Sequence, residues 1–250
     1  MVNAYEQLMA HHRRLSLLGS AGGVLGWDQQ TMLPPGGATF RGEQLSYLAE
    51  LRHEMFTDPR VGDWVSECEV DPALTAKPTS PPAVNVREIR HSYDRATKLP
   101  AALVAEYARV TSAALTTWKQ ARADDDYATF APALKRIIEL TIEKAKCFGW
   151  AGDGEPWDAL ADGFERGMTA AKVAAVFTPL RDQLLILIEQ LLSTGAEPSR
   201  AFDQIKVPID QQRRFVEWVI TQIGFDFNRG RLDIATHPFC SGMHPGDVRL

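Results

Sequence analysis

The chain has 250 residues and is poor in the features that mark most specialised protein classes. Three cysteines, Cys68, Cys147 and Cys240, are too few and too widely spaced for a disulfide framework. They suit a reducing compartment, so a cytoplasmic location is expected. A basic excess is also missing: 27 Lys and Arg against 32 Asp and Glu leave a formal net charge of -5. That balance argues against a nucleic-acid partner, whose surfaces usually need clustered cations. Long apolar runs are lacking as well. The longest, Leu184 to Leu192, is less than about half of the ~20 residues a membrane span needs, and Glu189 and Gln190 interrupt it, so no membrane partner is expected. The N-terminal MVNAYEQLMAHHRRL is amphipathic and has no basic, apolar and small-residue succession of a secretory signal. The 18 glycines and 15 prolines are scattered, without a repeat period.

Several catalytic signatures are absent too. None of the six histidines, His11, His12, His53, His91, His237 and His244, is followed by another four residues later, so the helical zinc motif HExxH does not occur. His237, Cys240 and His244 have spacings a zinc ion could use, but no fourth ligand accompanies them, and they read as loop residues beside Pro238 and Pro245. Adjacent His11 and His12 point about 100° apart on a helix and cannot chelate one ion together. His12 falls on an apolar stripe and reads as a packed core or interface histidine. Asp124-Asp125-Asp126 lacks the glycine and terminal glutamate of an EF-hand and reads as a solvated loop. No G-x-S-x-G elbow is present, and Gly152-x-Gly154 lacks the strand and third glycine of a dinucleotide site.

What the sequence does contain is helical period. Tyr5, Leu8, His12, Leu15, Gly19 and Gly22 form one stripe on a helix reaching towards Trp27, its glycines admitting a close neighbour. Pro34-Pro35-Gly36-Gly37 is a stop, Ala38 to Phe56 a second helix, and Thr57-Asp58-Pro59 a cap with proline at the first helical position. Residues 71–83, with four prolines, predict a loop. Further stripes run through Val86, Ile89 and Tyr93, then Leu103, Tyr107 and Trp118, then Leu134, Ile137 and Phe148 up to Gly149. The strongest stripe extends from Val173 to Leu191 behind Thr169 as N-cap, and Pro179 within it should kink or split the helix. A last helix runs from about Asp210 to Ile223. At the end of the first helix, Trp27-Asp28-Gln29-Gln30-Thr31 gathers polar side chains at a forced turn, where Asp28 or Thr31 serves either as a backbone cap or towards a substrate. The reading is all-α: about seven to nine helices over residues 1–230, then a short β-hairpin-like tail over 231–250, with RLDIA and DVRL as its strands.

Four segments, GGVLGWDQQTMLPPGG at 22–37, NVREIRHSYDRATKLP at 85–100, WDALADGFERGMT at 157–169 and RGRLDIATHPFCSGMHPGDVRL at 229–250, resemble in order and spacing the N-terminal half of the carboxypeptidase Taq family of metallopeptidases. The resemblance covers essentially the whole chain. It implies a mainly helical fold, a length roughly twice this one for family members, and removal of C-terminal residues from peptides with zinc or another divalent metal. It also implies homodimers. The metal-holding HExxH histidines, the further glutamate ligand and the HExxH glutamate that activates water all belong to the second half. No catalytic or metal-ligating residue, and no cofactor, is therefore expected in this chain.

By the same resemblance, His237, Pro238 and Phe239 match the family's HPF motif, and Asp247 and Arg249 match the start of its D-x-R-x-T motif. These five are the candidate substrate-groove residues. An arginine there either holds a peptide carboxylate through its guanidinium fork or braces the groove through an ion pair. The expectation is a truncated carboxypeptidase, inactive alone. The alternatives are a non-catalytic helical dimerisation module and one half of a split enzyme. A strand cut at Leu250 would form a frayed sheet edge.

Overall fold

A computed structural model describes residues 3–250. Ten α-helices lie among them: α1 (Ala4–Thr31), α2 (Ala38–Phe56), α3 (Pro59–Glu69), α4 (Pro72–Thr75), α5 (Pro81–Ala96), α6 (Ala101–Ala123), α7 (Tyr127–Phe148), α8 (Pro156–Ala161), α9 (Ala170–Ser193) and α10 (Ile209–Gln222). Three short strands complete the set, β1 (Gly230–Arg231), β2 (Ser241–His244) and β3 (Asp247–Arg249). The architecture is thus helical with a small C-terminal sheet, as the sequence predicts. Local chemistry sets many of the ends. Asn3 and Glu6 form a reciprocal capping box at the start of α1, and Asp58 and Thr169 accept the backbone amides of Arg60 and Lys172. Gly149, at φ +73°, takes the left-handed turn that ends α7 at little conformational penalty.

Two compact units make up the fold. The first joins the described residues up to Phe148 with Asn228–Leu250, and the second is Gly149–Phe227. In the first unit α2 packs along α6, α6 against α7, and α1 against α2, α3 and β2. One core cluster unites Leu8 of α1, Val61, Val65 and Cys68 of α3, and Val86 and Ile89 of α5. Gly62 makes that meeting close: a Cβ there would lie 2.8 Å from the Tyr93 hydroxyl. Leu140 and Ala145 of α7 are fully buried. In the second unit α9 has no buried residue, and Val176, Phe177, Leu180, Leu184, Leu187 and Leu191 are all exposed. Among the described residues no helix is long and apolar enough to cross a membrane.

Three details depart from the sequence reading. Residues 71–83 are not wholly a loop: α4 and the start of α5 lie there, each with an acidic or hydroxyl N-cap, Asp71 and Ser80, before a proline at its first position. α9 is one helix from Ala170 to Ser193 and is not split at Pro179. The bond that proline forfeits belongs to the carbonyl of Ala175, itself an exposed residue. The tail is more than a hairpin. β2 and β3 are antiparallel, but β1 pairs with β3 in parallel, giving the order β1-β3-β2, so β3 is the central strand rather than a frayed edge. Of RLDIA only Arg231 is in a strand. Secondary structure changes character near residue 230, while the compact units divide the chain at 148 and 228.

Candidate functional site

The sheet brings the C-terminal segment onto the end of α1, where Trp27 is buried. β1 and β3 run in register, with Arg231 beside Arg249, and both side chains reach the same indole. The Arg249 guanidinium lies 4.3 Å and that of Arg231 5.1 Å from the ring centroid, within cation–π range. Each arginine also has its own carboxylate two residues away. Arg249 donates to Asp247 at 2.5 and 3.1 Å, and Arg231 donates to Asp233 at 2.6 Å through each of two nitrogens. Hydrogen bonding from Arg249 holds the Asp247 carboxyl below the usual carboxylate range, with the charges of Arg249, Arg231 and His244 acting in the same sense. The Asp233 side chain is only 8% exposed, so that carboxylate depends on its arginine partner.

Beneath this cluster, polar bonds fix the α1 terminus. Arg41 of α2 donates to the Leu25 carbonyl at 2.5 Å, to Asp28 at 2.8 Å and to Gln44 at 3.1 Å. Buried Gln29 donates to the Ser112 hydroxyl at 2.7 Å and to its carbonyl at 3.2 Å. Lys119 donates to the carbonyls of Gln29 and Gln30, two acceptors a helix end leaves without helical partners. Burial pushes its ammonium below the ordinary lysine value. Thr31 donates to the Trp27 carbonyl at 2.9 Å. Of the backbone-cap and substrate roles open to Asp28 and Thr31, Thr31 bonds to a backbone carbonyl of its own helix, while the Asp28 carboxylate holds Arg41, a third role.

The five residues picked out by the family motifs fall into two groups. Asp247 and Arg249 join the Trp27 cluster. His237, which is exposed, stands edge-on to Trp118 at 6.3 Å, and Arg122 secures the neighbouring Thr236 carbonyl at 3.0 Å while lying over the same indole. Pro238 is exposed and Phe239 half-buried. Cys240 is exposed, and His244 accepts the Gly246 amide at its Nδ1, so the sequence-spaced trio of His237, Cys240 and His244 has no common focus. Among the described residues no group of three or more His, Cys, Asp or Glu is placed to hold a metal ion. The carboxylates at the Trp27 cluster are already engaged by arginines. The residues present therefore do not fit a catalytic metal. His12, read from the sequence as a packed core or interface histidine, keeps solvent access but sets its ring edge-on to Phe56 at 6.5 Å, where partial burial acts on the imidazole.

Sequence reasoning missed Arg231, Asp233, Arg41 and Trp118. A signal did exist for the first two: Arg231-Leu-Asp233 mirrors Asp247-Val-Arg249, and opposite charges two apart face the same side of an extended chain.

Residues 7–250 match the carboxypeptidase Taq (M32) metallopeptidase family. The chain belongs to that family. It is 39% identical to thermostable carboxypeptidase 1 of Thermus thermophilus over 99% of this chain and 50% of that protein, and 30% identical to the Pyrococcus furiosus protein of the same name over 98% and 48%. Among solved structures, one titled BsuCP matches with a TM-score of 0.89 at 26% identity, covering 98% of this chain and 48% of its own. The Pyrococcus furiosus carboxypeptidase structure matches with a TM-score of 0.77 at 29% identity, over 100% of this chain and 49% of its own. The chain spans about half the length of the curated relatives it matches.

Proposed function

We propose that this M32 chain supplies one wall of the substrate groove of a metal-dependent carboxypeptidase acting on peptides, and that it is silent as a peptidase on its own. The observation that carries the reading is a family match over residues 7–250 in a sequence without HExxH, whose described residues hold no metal-binding group. A divalent metal in such an enzyme polarises the scissile carbonyl and acidifies a bound water. This chain's part is positional. Trp27 anchors the sheet from below, Asp233 and Asp247 hold Arg231 and Arg249 over the indole, and Trp118 steadies the HPF segment through His237. Arg249, with both of its bonded nitrogens on Asp247, braces the wall instead of presenting a free fork to a peptide carboxylate.

The same proposal includes a cytoplasmic setting, which three free thiols support, and a homodimer, tested by sedimentation equilibrium. The deciding experiment assays the purified 250-residue chain on short peptides with zinc or cobalt, alone and mixed with the separately expressed second half of the Thermus thermophilus relative. We expect no release of C-terminal residues by the chain alone and metal-dependent release by the mixture. Metal-dependent release by the chain alone, or an inert mixture of two folded halves, would overturn the proposal.

A further inference from the structure

In the first unit α1, α2, α5 and β2 border an open cavity of about 530 Å³, and its polar groups share one chemistry. His12 and Ser16 stand one turn apart on a single face of α1, Arg52 enters from α2, Ser92 from α5 and Ser241 from β2. Gly19 lets the arginine close on α1: a Cβ there would meet its Nε at 3.5 Å. Burial, then the charge of Arg52, then adjacent His11, hold the His12 imidazole below its ordinary value, so the guanidinium and the imidazole feel each other across the cavity. α5 and β2 bring only hydroxyls to them. Residues two apart on a strand share a face, so Ser241 faces inward with Met243, which packs on Gly23 of α1. The Ser241 hydroxyl is buried there and bonds to no group among the described residues. Guanidinium, imidazolium and hydroxyl all donate to oxygen, and four elements aim them at one space from different directions. A carboxylate offers two oxygens in one plane, whereas a phosphate offers several in three dimensions and takes the arginine fork in addition. The rest of the border includes Leu15, Phe56 and Met243, apolar surface on which the body of a small organic phosphate can lie.

We propose that this cavity is a phosphate-binding site in which Arg52, His12 and Ser241 hold the anion between α2, α1 and β2. β2 pairs with β3, which carries Asp247 and Arg249, so an occupied site ties the C-terminal sheet to the helices beneath it. The site lies apart from the Trp27 cluster, and its test needs neither metal nor turnover.

The test titrates the full 250-residue chain with inorganic phosphate, phenyl phosphate and acetate at low ionic strength, following amide shifts by NMR. Phosphate should bind more tightly than acetate, with shifts concentrated at His12, Arg52 and Ser241. Arg52→Gln should weaken phosphate binding about tenfold, the worth of one charge-assisted contact. Arg52→Lys should lose less, because the ammonium keeps the charge and gives up only the fork. Ser241→Ala should weaken binding about threefold without lowering the urea midpoint, since the hydroxyl it removes has no partner to lose. Sulfate, which keeps its charge as histidine titrates, should raise the His12 midpoint in the wild-type chain and raise it less in R52Q, because a bound anion favours the imidazolium. Arg52 is exposed and its replacement leaves the core untouched, so a wild-type-like spectrum for R52Q certifies its fold. Tighter binding of phenyl phosphate than of phosphate assigns an organic phosphate as the ligand, and equal binding assigns the free ion. Acetate bound as tightly as phosphate, shifts scattered over the surface, or phosphate affinity unchanged in R52Q overturns the proposal.

Discussion

Helices α5 and α9 both carry legible apolar stripes, that of α9 the stronger, and meet different fates. α5 buries Ala83, Val86 and Ile89, the last two against α1 and α3, whereas α9, eight residues longer, buries none of its residues. Leu180, Leu184, Leu187 and Leu191 share one face of α9, yet they remain 44–60% exposed. The difference teaches that periodicity specifies which face wants to leave water, while the partner decides whether it does. The first unit owns its partners, and its helix ends are tied by buried polar bonds. The second unit has its apolar faces without them.

This contrast can be broken or sharpened by measurement. The largest effect should come from Leu8→Ala in the core cluster, which removes a side chain only 1% exposed and should destabilise the chain by about 2–5 kcal/mol in urea unfolding. Leu187→Ala on α9 should cost under about 0.5 kcal/mol, as expected for a surface position. Equal costs at the two sites would erase the comparison. Next is Arg41→Ala. It strands Asp28 and the Leu25 carbonyl, and we expect a loss of about 2–3 kcal/mol, against a negligible change for Arg213→Ala in the exposed pair with Glu217.

A smaller effect follows from pH. Burial, then the charges of Arg52 and His11, hold His12 below its ordinary 6.5. A histidine that is harder to protonate when folded favours the folded state above the unfolded value. That contribution is therefore present above pH 6.5 and is lost as pH falls towards the lowered folded value. Urea midpoints should drop across this window in the wild-type chain and drop less in His12→Gln; parallel profiles would refute the assignment. The subtlest readout is hydrogen exchange. Amides of α9 and α10 should exchange ahead of those in α1 and α6, because local opening exposes little further apolar surface there.

How far the sequence speaks depends on the range of the physics involved. Helix ends were legible because their signals are local: Asp58-Pro59 opens α3, Thr169 caps α9, and Gly149 and Gly224 close α7 and α10 with positive φ. Pro72 and Pro81 misled because the same residue breaks a helix interior and starts a helix behind a capping side chain. The parallel pairing of β1 with β3 was not legible, since it joins Gly230 to Val248 across an intervening strand and turn. The site divides in the same way. Motif resemblance pointed to Asp247, Arg249 and His237, and the turn at Trp27 stood out by its own chemistry. That Trp27 receives Arg249 and Arg231, while His237 goes to Trp118, is a tertiary fact with no sequence-local trace.

The central proposal is that this M32 chain contributes a groove wall and does not itself hold the metal. Equilibrium dialysis of the purified chain against sub-micromolar zinc, read by elemental analysis, tests it most directly. The account predicts no stoichiometric zinc and no change in uptake when His237 or His244 is replaced by alanine. One tightly held zinc per chain, lost in either variant, would contradict it.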